Sequence, residues 1–170
     1  MVQIEGQIGK ASEWLDADEG SLPQAQYTSL NDGFVMDAWL GNWDIVRNPE
    51  NVLTVEGTLY RLDNGNALDI RAQGDRKPAQ LWTETVAELE LGEGVNELGN
   101  GMRHMYPGLT ADSFTQQVDR LVTVFTDDVI DQYVDSIRRS REDREQLKST
   151  LKARRNYITQ NRARITQELS

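Results

Sequence analysis

An acid, an amide and a second acid stand at Asp44, Asn51 and Asp63, seven and then twelve residues apart. Phosphoryl transfer uses these residue types. One carboxylate orients the attacking hydroxyl, while an amide and another carboxylate hold Mg²⁺ against the phosphates, because positioning and charge neutralisation govern that reaction. The three lie in Asp37-Ala-Trp-Leu-Gly-Asn-Trp-Asp44, Glu50-Asn-Val-Leu53 and Arg61-Leu-Asp-Asn-Gly65. A short β-type stretch turning at Glu56-Gly57 separates the last two runs and can bring the side chains to one metal–phosphate site. Taken singly, Asp44 reads as a cap or loop acid and Asp63-Asn-Gly65 as a common turn. Their order and separation give them chemical meaning.

The elements that must position these residues follow from periodicity. Ile4, Ile8, Ala11 and Leu15 share one helical face, so residues 1–20 are expected to form a hinge or N-terminal helix. Pro23 can open a second helix whose Leu30, Phe34, Val35, Ala38 and Trp39 form an apolar stripe. Gly33 weakens that helix and Gly41-Asn42 stops it, which leaves Trp43 and Asp44 to begin a loop. Trp39 and Trp43 read as core anchors. Val52-Leu-Thr-Val and Thr58-Leu-Tyr-Arg-Leu form a hairpin around Glu56-Gly57, with Asp63 at its exit. Arg61 and Arg71 are expected to pair with nearby acids.

Beyond Gly74, Asp75-Arg-Lys-Pro is a loop, Leu81 to Leu91 a helix, and Gly92 to Gly101, with four glycines, a mobile stretch. In Met102-Arg-His-Met-Tyr-Pro, His104 is an incidental loop residue and its Met and Tyr neighbours signal packing. Thr110 and Thr126 are good N-caps for helices carrying Phe114, Val118, Leu121 and Phe125, then Val129, Ile130, Tyr133, Val134 and Ile137. Ser140 and Asp143 resemble a capping pair opening a basic terminal helix within 136–168, where Leu147, Leu151, Ile158 and Ile165 supply a sparse apolar face.

Composition bounds what such a chain does. Its 170 residues fit one domain with one core, and four Trp, five Tyr and three Phe argue that the core is packed. The absence of cysteine excludes disulfides, thiolate metal sites and Cys nucleophiles; a single histidine, His104, argues against a Ser-His-Asp triad or a multi-His centre. No apolar run approaches the roughly 20 residues of a membrane span, and the N-terminus lacks the basic and apolar regions of a signal peptide. The expected location is therefore cytoplasmic. Net charge is −10, yet residues 136–164 hold ten Lys or Arg against three acids, leaving about −17 for the remainder. That acidic body disfavours nucleic acid and should attract the basic segment, which reads as a solvated helix face, with phosphate binding as the alternative.

The order helix, acidic loop, hairpin, acid-Asn-Gly and helical bundle resembles the C-terminal lobe of the protein-kinase-like fold. Asn51-Val-Leu-Thr-Val-Glu-Gly-Thr-Leu-Tyr-Arg-Leu-Asp-Asn-Gly65 is similar to the kinase segment running from the metal-binding Asn through a hairpin to the Asp-Phe-Gly motif, with Asn64 in place of Phe. Trp-Leu-Gly-Asn-Trp-Asp44 and Asp63-Asn-Gly-Asn-Ala-Leu-Asp-Ile-Arg-Ala-Gln-Gly74 look more like atypical bacterial kinases of the HipA and phosphatidylinositol-kinase-like type. The expected fold class is thus α+β and mostly α-helical, one domain over 1–170, with a small hairpin carrying the site.

That resemblance implies a role for each matching position. Asp44 is the acid that orients or deprotonates the acceptor hydroxyl, Asn51 and Asp63 hold Mg²⁺ against ATP, and Arg47 contacts the transferred phosphate. Because Asp44 to Asn51 is two residues longer than in eukaryotic-type kinases, Asn48 stands as an alternative metal ligand. No Gly-rich phosphate loop or Lys-bearing strand precedes the motif, so the N-lobe is absent and a longer chain or a partner protein is expected to supply it. The acceptor is a hydroxyl of a protein, lipid or small molecule. Two other classes compete: a non-catalytic helical interaction module that kept the lobe fold, and a metal-dependent hydrolase using the same carboxylates.

Overall fold

Helix α1 (Phe34–Leu40) is the element against which the long helices pack, with Phe34, Val35, Ala38 and Trp39 all buried. The computed structural model describes residues 2–4, 7–9, 30–47, 51–55, 58–61, 67–71, 74–90 and 102–170. Strands β1 (Val2–Ile4) and β2 (Gln7–Gly9) pair antiparallel. This corrects the expected N-terminal helix over those residues: Val2, Ile4 and Ile8 also satisfy a period of two, and the strands stand two residues apart in sequence, the shortest common hairpin spacing. The rest of 1–20, the Pro23 helix start and the glycine-rich 92–101 stretch lie outside the described residues.

After α1 come a one-turn helix α2 (Asp44–Arg47) and an antiparallel hairpin of β3 (Val52–Val55) and β4 (Thr58–Arg61). The hairpin has the expected strands, in the register Val52 to Arg61 and Val55 to Thr58. Of the loop expected to start at Trp43-Asp44, Trp43 lies outside any helix, but Asp44 to Arg47 is helical. The helix expected over Leu81 to Leu91 is also not formed in its described part, residues 81–90: short 3₁₀ turns lie at Ala79–Leu81 and Ala87–Leu89. Thr83, Thr85 and Glu88 in this segment are recruited as acceptors by Arg154, a tertiary demand that overrides helical periodicity.

The C-terminal half is helical: α3 (Ala111–Val124), α4 (Asp127–Asp135) and α5 (Arg141–Glu168). All three expected caps form. Thr110 Oγ1 accepts from Ser113 N at 3.2 Å, Thr126 Oγ1 from Val129 N at 3.4 Å, and Ser140 Oγ from Asp143 N at 3.1 Å. Phe114, Val118 and Leu121 of α3, Ile130 and Val134 of α4, and Leu147, Leu151, Ile158 and Ile165 of α5 close one core with α1. The protein is therefore α+β and mostly α-helical. No helix among the described residues is long and apolar enough to cross a membrane.

Candidate functional site

The site is built at the C-terminal end of α1. Gly41 ends this helix in the left-handed region, at φ 61°, and its amide bonds back to the Ala38 carbonyl at 3.2 Å. Asn42 N donates to Asp37 O at 2.8 Å, and the chain then enters α2 with Asp44 as its first residue. Asn51, just ahead of β3, donates through Nδ2 to Asp44 Oδ2 at 2.7 Å and to Asp44 O at 3.3 Å. Two of the expected site residues are thereby in direct contact.

Arg47 lies in the last position of α2, and its side chain is outside the described residues, as are Asn48 and Asp63. The segments flanking Asp63 both return to α1. On one side, Arg61 Nη2 donates to Asp37 Oδ2 at 3.1 Å and to Leu30 O at 2.9 Å. On the other, Leu68 N donates to Leu40 O at 2.6 Å. Leu68 holds φ 64°, a conformation unusual for a side chain of its bulk, and it packs against the core. Such local strain persists only where the surroundings enforce it, and here a backbone bond to the end of α1 does so.

Asp37 is the electrostatic hub behind the site. It is buried, and burial raises its carboxyl above the ordinary Asp range, opposed by the Arg61 charge and by a 2.8 Å hydrogen bond from Tyr106 Oη. The same burial, with Asp37 beside it, pushes the Tyr106 phenol well above its usual value. Arg61 had been expected to pair with an acid, and it does, but its reach is specific: its guanidinium crosses the Cα of Gly33, where a Cβ would lie 1.8 Å from Nη2. Gly33 is thus a close-approach glycine, which accounts for a residue that propensity alone reads as a defect.

Side chains that sequence reasoning passed over complete the frame. Gln117 of α3 accepts from Val35 N at 3.0 Å and donates to Asn31 O at 2.7 Å, serving the start of α1, where Gly33 offers no side-chain cap. Arg154, expected as part of a solvated basic face, is 1% exposed. It donates to the Trp39, Ala38, Thr83 and Thr85 carbonyls and to Glu88, and stacks 4.6 Å from the Trp82 ring centre. The α5 spacing Leu147, Leu151, Arg154, Ile158 carried the signal, since Arg154 falls on the apolar stripe. Lys77 Nζ adds a second cation at the end of α1, donating to Gly41 O at 2.8 Å.

Chemically, the contact between Asp44 and Asn51 leaves the Asn51 amide oxygen as a hard donor beside a carboxylate, a donor type that suits Mg²⁺. No cluster of three or more His, Cys, Asp or Glu suited to a metal occurs among the described residues. Comparison with family models, with curated proteins and with solved structures finds no match to this chain.

Proposed function

We propose that this chain is the catalytic lobe of a kinase-like phosphotransferase that uses ATP and Mg²⁺ to phosphorylate a hydroxyl of a protein, lipid or small molecule. The observation carrying the proposal is the 2.7 Å hydrogen bond from Asn51 to Asp44. It joins the two positions that the kinase resemblance pairs, at the mouth of a hairpin whose far strand leads toward Asp63.

In this reading Mg²⁺ supplies charge neutralisation for the phosphates, and Asn51 Oδ1 and Asp63 are the groups that would hold it. Asp44 orients the acceptor hydroxyl and takes its proton on Oδ1 or Oδ2 as the oxygen begins to attack. The Asn51 amide fixes the direction of the Asp44 carboxylate, so the acid is positioned before the acceptor arrives. Arg47 contacts the transferred phosphate. The attachments of Arg61 to Asp37 and Leu68 to Leu40 support this reading, because they tie the chain on both sides of Asp63 to the helix that delivers Asp44. A partner protein or a longer chain supplies the lobe that grips the nucleotide.

Thermal unfolding tests the proposal. A ligand bound only by the folded chain adds about 2.7 kcal/mol at a hundredfold excess over its Kd, so Mg²⁺-ATP should raise Tm by several degrees. Asp63→Ala and Asn51→Ala should each abolish that rise while leaving the ligand-free Tm within a few degrees. A rise that survives Asp63→Ala would sink the phosphotransferase reading, and a Tm unmoved by Mg²⁺-ATP would sink the binding of the nucleotide by this chain on its own.

A further inference from the structure

The described lysines fall into two kinds. Lys148 is held by Asp135 and Glu145, each at 2.9 Å, and Lys152 by Asp131 at 2.7 Å. Lys77 is bonded instead to a neutral acceptor, the Gly41 carbonyl at 2.8 Å. It lines a cleft of about 230 Å³ together with Asp69, Arg76, Trp82, Asp143 and Leu147. The carboxylates of this cleft are engaged elsewhere: Asp69 accepts two bonds from Arg139 Nη1, at 2.7 and 2.9 Å, and Asp143 accepts from Arg76 and from the Ser140 hydroxyl. Among the described residues no carboxylate is hydrogen-bonded to this half-buried ammonium, which lies 5.7 Å from the centre of the Trp82 ring, with Glu88 and Asp69 acting on it only through their charge.

We propose that Lys77 is an Nε-acylation site, modified by a small acyl phosphate that enters the cleft beside Trp82. The neutral amine forms an N–C bond to the acyl carbon, the C–O bond to phosphate breaks, phosphate leaves with that electron pair, and the extra amine proton passes to solvent. Acylation removes a positive charge from the C-terminal end of α1 and seats an acyl group against Trp82 and Leu147. The change falls at Gly41, three residues before Asp44, so it would act on the α1–α2 junction whatever reaction that junction serves. The inference is independent of the phosphotransferase reading.

Electrostatics support the geometry. Burial is the main influence on Lys77 and lowers its pKa to about 8; Arg154 and Arg71 push the same way, while Glu88 and Asp69 oppose them. Lys148 is displaced upward by the hydrogen bond it donates to Asp135. At pH 8 about half of the Lys77 amines are neutral, against well under ~1% for an ordinary lysine. Lower basicity gives back roughly a factor of ten in nucleophilicity on a Brønsted slope like that of thiols, which leaves an advantage of about tenfold.

The full chain is incubated with acetyl phosphate at pH 8 and acetylation at each lysine is followed by peptide mass spectrometry. Lys77 should react about tenfold faster than Lys148 and Lys152, and the advantage should disappear in urea. Lys77→Arg should eliminate the fast event alone. A Lys77 rate no greater than that of Lys148 and Lys152 in the native chain would overturn the proposal, and so would an advantage that persists in urea, because it would then belong to local sequence.

Discussion

Arg154 occupies a place on α5 where the Leu147, Leu151, Ile158 and Ile165 stripe would suit a leucine, and the fold uses its charge to end another helix. Its guanidinium satisfies the last carbonyls of α1, two carbonyls of the 83–85 segment and the Glu88 carboxylate, whose side chain is 4% exposed. Removing one partner of such a pair strands the other without water. Arg154→Ala should therefore lower unfolding free energy by about 3–5 kcal/mol. Arg154→Lys should recover little of it, since one ammonium cannot span acceptors arranged around a planar fork. Arg162, paired with Asp119 at the surface, provides the contrast: Arg162→Ala should cost about 1 kcal/mol or less. Urea denaturation of the three variants decides the matter, and a loss at Arg154→Ala no larger than at Arg162→Ala would remove Arg154 from the role given to it.

Among the elements, the turn from α1 into α2 is a tightly constrained junction, because Gly41 holds a left-handed φ with Trp82 and Glu88 against it. A Cβ at Gly41 would meet Trp82 and Glu88 atoms at 3.3 Å, in a conformation that side chains disfavour. Gly41→Ala should cost about 1–2 kcal/mol, measurable as a lower urea midpoint with an unchanged m-value. If the substitution is neutral, the junction is looser than its geometry indicates. Gly41 was readable as a helix stop because glycine after an apolar stripe has a local meaning. The caps at Thr110, Thr126 and Ser140 were legible for the same reason, as was the hairpin, whose alternation and turn are written in adjacent residues. The acceptors that Arg154 finds, the service of Gln117 to the start of α1 and the breakup of 81–90 were not legible, since each depends on partners more than 60 residues away. At the candidate site, Asp44 and Asn51 stood out together by residue type and spacing, and their side chains are hydrogen-bonded. The cap reading of Asp44 pointed to the helix that begins there, whereas nothing in the sequence indicated that Leu68 would be strained.

Across the whole molecule, the charge asymmetry resolves into a basic helix bound to the acidic body that carries it. Lys148 and Arg155 of α5 reach Asp135 and Asp127 of α4, while Arg103 reaches back to Glu168, and Asp143 at the start of α5 takes Arg76. Hydrogen bonds from these cations hold Asp127, Asp135, Asp143 and Glu168 below their ordinary pKa values. For such groups the unfolded chain binds protons first as pH falls. Their contribution is complete above the unfolded values near 3.8 for Asp and 4.5 for Glu, and is lost as pH drops through the lower folded values. Asp37 runs the opposite way. Burial raises its folded pKa, so the folded chain takes up that proton first, and its contribution improves as pH falls from neutral toward about 4. Two variants separate these opposing trends in urea midpoints measured from pH 7 to pH 2. Asp37→Asn should lose stability relative to the parent chain progressively as pH falls toward 4, because it lacks the gain that protonation brings. Asp143→Asn combined with Glu168→Gln should shallow the loss below pH 4, because two of the groups that must be protonated there are gone. An acid limb of unchanged slope in the double variant would mean that the ion pairs seating α5 do not set the acid stability of this chain.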